Sequence, residues 1–169
     1  MGTYAADGAD SCQTCDDGHI CKSASTTATP ESRCPAGFYC KHESGSLVVT
    51  ACPAGTYSSD RGTSSLSNCV DCPVGYFCPR GTADPIPCPP GHYCEVRSEA
   101  MEGCPDKTYL NVFKAEAASD CLTCPAGYYC HTSSIVPIKC PVGYYCEEGK
   151  TNMKDESIVG AGYNAIHSY

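Results

Sequence analysis

Apolar residues along this chain come singly or in pairs among glycines, prolines, serines and threonines, with no stripe at helical spacing. That pattern predicts short strands and turns throughout. Only Val112-Phe113-Lys114-Ala115-Glu116 is expected to make a short turn of helix. No run approaches the roughly eighteen apolar residues of a membrane span. Met1 to Asp10 lacks the basic and apolar stretch of a signal peptide, so a removed signal or a longer parent chain is expected.

Leu, Ile, Val and Phe together number 22 of 169 residues. So few large aliphatics cannot bury enough surface to offset chain entropy. Against this stand 17 cysteines, a density that marks a covalent scaffold. Bridges and zinc are the two candidates, and the choice sets the compartment: disulfides persist outside the cytosol, clustered thiols inside it hold metal. The formal charge of −8 and a pI near 4.9 argue against binding nucleic acid, which needs clustered Lys and Arg.

Set in order, the cysteines repeat. Cys69-x2-Cys72-x5-Cys78-x9-Cys88-x5-Cys94 recurs as Cys121-x2-Cys124-x5-Cys130-x9-Cys140-x5-Cys146, an offset of 52. An earlier copy, Cys12, Cys15, Cys21, Cys34, Cys40 and Cys52, keeps the short spacings while its longer loops grow. Three repeats are thus expected, 1–51, 52–103 and 104–150, followed by a cysteine-free tail, 151–169. A second signature, Cys-Pro-x-Gly-x-aromatic, stands at Cys34, Cys52, Cys72, Cys88, Cys124 and Cys140. With Pro second and Gly fourth it predicts a tight type I turn followed by an aromatic that covers the adjacent bridge. At Cys104 the Gly slot is Lys107, where the turn should differ or be strained. Twelve tyrosines and no tryptophan suit small, half-exposed packing sites.

These motifs resemble the ephrin-receptor-like cysteine-rich repeats, which are similar in turn to tumour-necrosis-factor-receptor modules; the resemblance spans Gly2 to Cys146. It implies a small disulfide-rich fold, an elongated tandem array with short strands and little helix. The receptor-type connectivity would pair Cys15 with Cys34, Cys21 with Cys40, Cys52 with Cys69, Cys72 with Cys88, Cys78 with Cys94, Cys104 with Cys121, Cys124 with Cys140, and Cys130 with Cys146. The sequence departs from the receptor pattern in having five residues between third and fourth cysteines, and spacing alone does not fix connectivity. Under this pairing Cys12 is left over. Gly2-Thr3-Tyr4 matches Gly55-Thr56-Tyr57, so its missing partner falls just before residue 1. A segment of a longer array is one reading, a free or intermolecular thiol the other.

The implied bridges close loops of roughly 15 to 18 residues, each worth about 3 kcal/mol in the chain-entropy model. Repeats that touch only their neighbours stack into a quasi-one-dimensional body, here expected to be a stiff rod. Its surface favours spacing and lateral association over enclosing a small molecule.

No catalytic constellation stands out, and neither an enzyme nor a cofactor is expected. The Cys-x2-Cys pairs lack a second close pair for zinc, and their companions are five apart within the turn motifs. His19, His42, His92, His131 and His167 are scattered, and are expected to be surface or loop residues. Asp7, Asp10, Asp16 and Asp17 lack the spacing of a calcium loop and are expected to form a solvated acidic face. No Asn lies in an N-x-Ser/Thr acceptor. The Ser/Thr-rich stretches offer Ser23, Ser25, Thr26, Thr27, Thr29, Ser64 and Ser65 as candidate O-glycosylation sites, or else as plain loops. The tail is expected to be disordered, or to dock on a neighbouring subunit as an added strand.

The functional expectation is an extracellular or cell-surface structural repeat protein, a subunit or segment of a surface filament, hair or coat. Its partners would be copies of itself or neighbouring repeats of a longer chain. Proteins with similar repeats occur in surface coats and filaments of single-celled eukaryotes. The alternative is a receptor or adhesion stalk that takes a protein ligand or glycans.

Overall fold

The computed structural model describes residues 3–5, 13–21, 33–44, 46–149 and 153–155. Within them the chain is a small disulfide-rich repeat array: eight bridges and eight two-stranded sheets, with two 3₁₀ turns at Leu66–Asn68 and Ala118–Asp120. Most strands are two residues long. The longest pair, β3 (Phe38–Glu43) and β4 (Ser46–Ala51), is antiparallel in the register Phe38↔Ala51 to Glu43↔Ser46. The helical turn expected at 112–116 does not form. Lys114 there takes a left-handed φ of 62°, which no helix tolerates, and Ala115 bridges in parallel to Tyr93.

The recurring element is a seven-residue rung, Cys-Pro-x-Gly-x-x-x, beginning at Cys34, Cys52, Cys72, Cys88, Cys124 and Cys140; the rung at Cys104 has Lys107 in the Gly place, and Cys15 opens an eighth that lacks the Pro. In seven of the eight, the amide after the fourth residue donates to the carbonyl three residues back, as Phe38 N–H does to Pro35 C=O at 3.2 Å. The turn therefore begins on the Pro, not the Cys. Its third residue is the Gly, at φ +81° in Gly37 and +79° in Gly55, the mark of a type II turn rather than the expected type I. Lys107 keeps the same turn at φ +75°, a left-handed conformation that costs a side-chain-bearing residue about 1–2 kcal/mol.

This reversal brings the first and seventh residues together and decides the bridges. Cys34–Cys40, Cys72–Cys78, Cys88–Cys94, Cys124–Cys130 and Cys140–Cys146 close within their own rungs, with Cα atoms 5.7–6.0 Å apart, and Cys15–Cys21 does likewise at 6.2 Å. The receptor-type pairs Cys15–Cys34, Cys21–Cys40, Cys72–Cys88, Cys78–Cys94, Cys124–Cys140 and Cys130–Cys146 are accordingly not formed. Two rungs have no sulfur in seventh place, carrying Ser58 and Leu110. Their first cysteines reach forward instead, in Cys52–Cys69 and Cys104–Cys121, as the receptor pattern implied. Cys12 lies outside the described residues.

The chain divides into two compact units. The first comprises Met1–Pro73, Phe77–Ile86 and Val96–Ala100. In it each rung's opening Cys N–H donates to the turn Gly C=O of the rung before: Cys34 to Gly18, Cys52 to Gly37 and Cys72 to Gly55, at 2.8–3.0 Å. The Gly N–H in turn donates to the seventh carbonyl of the rung after: Gly18 to Cys40, Gly37 to Ser58 and Gly55 to Cys78, at 2.7–2.9 Å. A third bond skips a rung. The amides of Gly62, Gly81 and Arg97 reach the carbonyls of Cys34, Cys52 and Cys72. The second unit, Val74–Tyr76, Pro87–Glu95 and Met101–Tyr169, repeats all three, with Lys114, Ser133 and Gly149 reaching Cys88, Cys104 and Cys124. These six skipping residues all have φ between +61° and +83°.

Buried backbone polar groups must be paired, and here the pairing runs between successive turns rather than within long sheets. The buried interior consists mainly of cysteines, with Thr56, Ser58, Thr63 and Thr82 as buried polar residues and Leu110 and Ala115 as the only other buried apolar side chains among the described residues. Leu110, Ala115 and Cys104 cluster, with Tyr93 and Cys121 packed against them.

Candidate functional site

Four aliphatic side chains recur two positions before a rung's first Cys: Val70, Ile86, Leu122 and Ile138, each between 42% and 50% exposed. Three are held beside an aromatic by two-residue strand pairs: Tyr57↔Val70 between β5 (Thr56–Tyr57) and β6 (Val70–Asp71), and likewise Tyr109↔Leu122 and Tyr129↔Ile138. Cross-strand aromatic and aliphatic pairs of this kind support small sheets. Half of each pair stays in water, giving each unit a recurring apolar flank. The polar neighbours are surface contacts: Arg97 Nε lies 3.5 Å from Asp71 Oδ1, and Lys114 Nζ sits 4.8 Å above the Tyr76 ring.

At Tyr93 the pairing partner is Glu102. The phenol donates to Glu102 Oε2 at 2.9 Å. That hydrogen bond holds the Tyr93 pKa above its ordinary value, helped by burial and by the negative charges of Glu102 and Glu95.

A half-open groove of about 320 Å³ lies beside the longest hairpin, lined by Tyr39, Lys41, Glu43, Val48, Thr50, Ser65 and Leu66. Ser65 caps the first 3₁₀ turn there: its hydroxyl accepts from Ser67 N–H at 3.1 Å and lies 2.6 Å from Ser67 Oγ. Ser64 is half-buried. The other candidate O-glycosylation residues, Ser23, Ser25, Thr26, Thr27 and Thr29, lie outside the described residues.

The histidines do not converge. His92 Nδ1 lies 3.2 Å from Pro90 C=O, and His131 packs edge-on to Tyr129 at 5.2 Å. His42 is not the surface residue the sequence suggested: its side chain is 6% exposed, with both ring nitrogens lacking a hydrogen-bond partner. The sequence offered no signal for this. The Asp17 carboxylate accepts the His42 backbone N–H at 2.8 Å and lies 3.6 Å from the ring's Nδ1, a contact across 25 residues. Asp16 and Asp17 are exposed; Asp7, Asp10 and His167 lie outside the described residues. Among the described residues no three His, Cys, Asp or Glu side chains are placed to hold a metal ion, and no helix is long and apolar enough to cross a membrane.

Taken together, the fold and its surface define a cysteine-rich repeat protein in which disulfide-stapled turns are the scaffold and a recurring apolar flank is its most distinctive exposed feature. No protein-family model matches the sequence, and a search of curated proteins finds no match.

Proposed function

We propose that this chain is an extracellular structural repeat protein, a subunit or segment of a surface filament, hair or coat, and not an enzyme. The observation that carries this reading is the backbone ladder. The same three hydrogen bonds recur from rung to rung in each unit, with a disulfide at every rung, so the sequence is spent on repeating a backbone geometry. Eight disulfides favour an oxidising compartment outside the cytosol. Negative-stain imaging of the oxidised protein over a concentration series tests the reading. Polymers are expected, and a protein that stays monomeric at every concentration overturns it.

The apolar flank within each unit, Val70 and Ile86 in one and Leu122 and Ile138 in the other, favours a second reading, a receptor or adhesion stalk of the ephrin-receptor-like kind that binds a protein ligand. A monomer that captures one defined ligand, and loses it on Leu122→Arg, would support that alternative.

A further inference from the structure

The hairpin of β3 and β4 is the one long pairing among the described residues: each strand has six residues, whereas every other has two or three, as in β1 (Thr3–Tyr4) and β2 (Gln13–Thr14). Its two outer edges differ. On β3 the Cys40 N–H donates to Thr63 C=O at 3.0 Å, the Thr63 hydroxyl donates to Phe38 C=O, and the His42 N–H donates to the Asp17 carboxylate at 2.8 Å. Phe38, Cys40 and His42 therefore turn their backbone groups away from β4. Their partners across the ladder, Ala51, Val49 and Leu47, must turn theirs outward on the opposite side. Among the described residues β4 pairs only with β3, and no other backbone hydrogen bond reaches those three residues.

An open edge of this kind is a template for another strand, and proteins blunt it with charges, prolines, bulges or brevity. β4 has none of these defences. Ser46-Leu47-Val48-Val49-Thr50-Ala51 holds no charge, proline or glycine and is rich in β-branched residues. Val48 and Val49 point to opposite faces and are 40% and 46% exposed. The acidic and basic side chains of the hairpin, Lys41 and Glu43, lie on β3, one strand removed from the open edge.

The segment also complements itself. Antiparallel pairing about a twofold axis at Val49 sets Val49 opposite Val49, Leu47 opposite Ala51, and Val48 opposite Thr50. Each outward-facing residue then engages both its N–H and its C=O. Large Leu47 meets small Ala51, and the other pairs are β-branched, a combination that supports sheets. Centring the axis on Val48 instead pairs Leu47 with Val49 and leaves Ala51 without a partner in the strand. Although each chain carries a net charge of −8, the uncharged strand brings no like charges opposite one another.

We propose that β4 is a lateral docking edge for β4 of a second copy of this chain, the two hairpins joining as one four-stranded sheet in the order β3-β4-β4-β3. The inference stands apart from the filament reading, since a stalk would pair through the same strand.

A strand pair about 17 Å long buries less than the roughly 1,200 Å² of a stable standard interface, so a weak dimer is expected. Sedimentation equilibrium of the oxidised full chain, carried up to about 1 mM, detects it. Hydrogen exchange at Leu47, Val49 and Ala51 should be fast in dilute protein and slow in concentrated protein, while Val48 and Thr50, which face β3, stay slow in both. Val49→Lys and Val49→Glu, each with its disulfide map confirmed, set like charges opposite one another and should each weaken pairing at least about tenfold; an equimolar mixture of the two should restore it. Val70→Lys, on the apolar flank of the same unit, should leave pairing unchanged. A chain that stays monomeric to that limit, or a mixture that restores nothing, overturns the proposal. So does a Val49 amide already protected in dilute protein that loses its protection on deleting 23–32, because the chain itself then covers the edge. The twofold axis closes the pair, so its failure leaves the filament reading standing.

Discussion

Replacing Gly75 by alanine isolates what the ladder contributes. Gly75 has φ +76°, so any side chain there pays about 1–2 kcal/mol for the left-handed backbone. A methyl would also stand 2.6 Å from the Lys114 carbonyl. That carbonyl is not free to retreat, because the Lys114 amide is bonded to Cys88 C=O at 2.8 Å and the next residue accepts from Cys94 N–H at 3.0 Å. Moving it sacrifices about one hydrogen bond, worth roughly 1 kcal/mol, and loosens its neighbour. The expected total is about 3 kcal/mol. Gly81→Ala is the internal control: its φ is +81°, but a methyl there meets only the Phe38 ring and Ala51 side chain, at 3.4 and 3.5 Å. It should lose the backbone term alone, about 1–2 kcal/mol. Urea denaturation without reductant compares the two, and hydrogen exchange at Lys114 and Cys94 locates the damage. Equal losses from the two substitutions, or unchanged exchange at both amides in Gly75→Ala, would refute the claim that successive turns are held by backbone contact.

Four further outcomes are expected. Non-reducing peptide mapping should recover Cys72–Cys78 and Cys52–Cys69. Removing the second pair as a double serine variant should cost about 3 kcal/mol and removing the first about 2, in line with their sequence separations of 17 and 6. Ser133→Gly relieves a φ of +61° and should stabilise the protein by about 0.5–1 kcal/mol in the same denaturation assay. Glu102→Gln should bring the Tyr93 titration back toward the ordinary phenol value, followed by phenolate absorbance. Because the folded pKa of Tyr93 is raised, its contribution to stability is complete below the unfolded value near pH 10 and is lost as pH climbs through the folded one; the variant should lose less over that window.

The cysteine spacing, a turn at each Pro-x-Gly and the half-exposed aromatics were legible because each follows from local chemistry, above all a glycine free to turn left; the turn's type and its start on the proline escaped that reading. The bridging pattern was not. A run of Cys-x5-Cys fits both receptor-type crossing and closure on itself, and only the type II reversal, which sets the ends 5.7–6.0 Å apart, selects the second. Ser58 and Leu110 were informative in hindsight: where the seventh residue is not sulfur, the first cysteine must look elsewhere. The left-handed positions Arg97, Lys114 and Ser133 carry no mark of their own. They become visible only when set beside Gly81 and Gly149, each three residues past a rung-closing cysteine, and Gly62, which like Lys114 lies four past a sulfur-free seventh residue. The burial of the His42 side chain, which meets Asp17 across 25 residues, involves neighbours too distant in sequence for any local pattern to reveal.

Closure of six bridges across only six positions each has a bearing on biogenesis. At synthesis rates of about 5–20 residues per second, a thiol whose mate follows six positions later can be oxidised before more distant thiols arrive. Such a polypeptide matures vectorially, turn after turn, with little need for isomerase to undo wrong partners. Lengthening it by further repeats adds no combinatorial burden of sulfur matching.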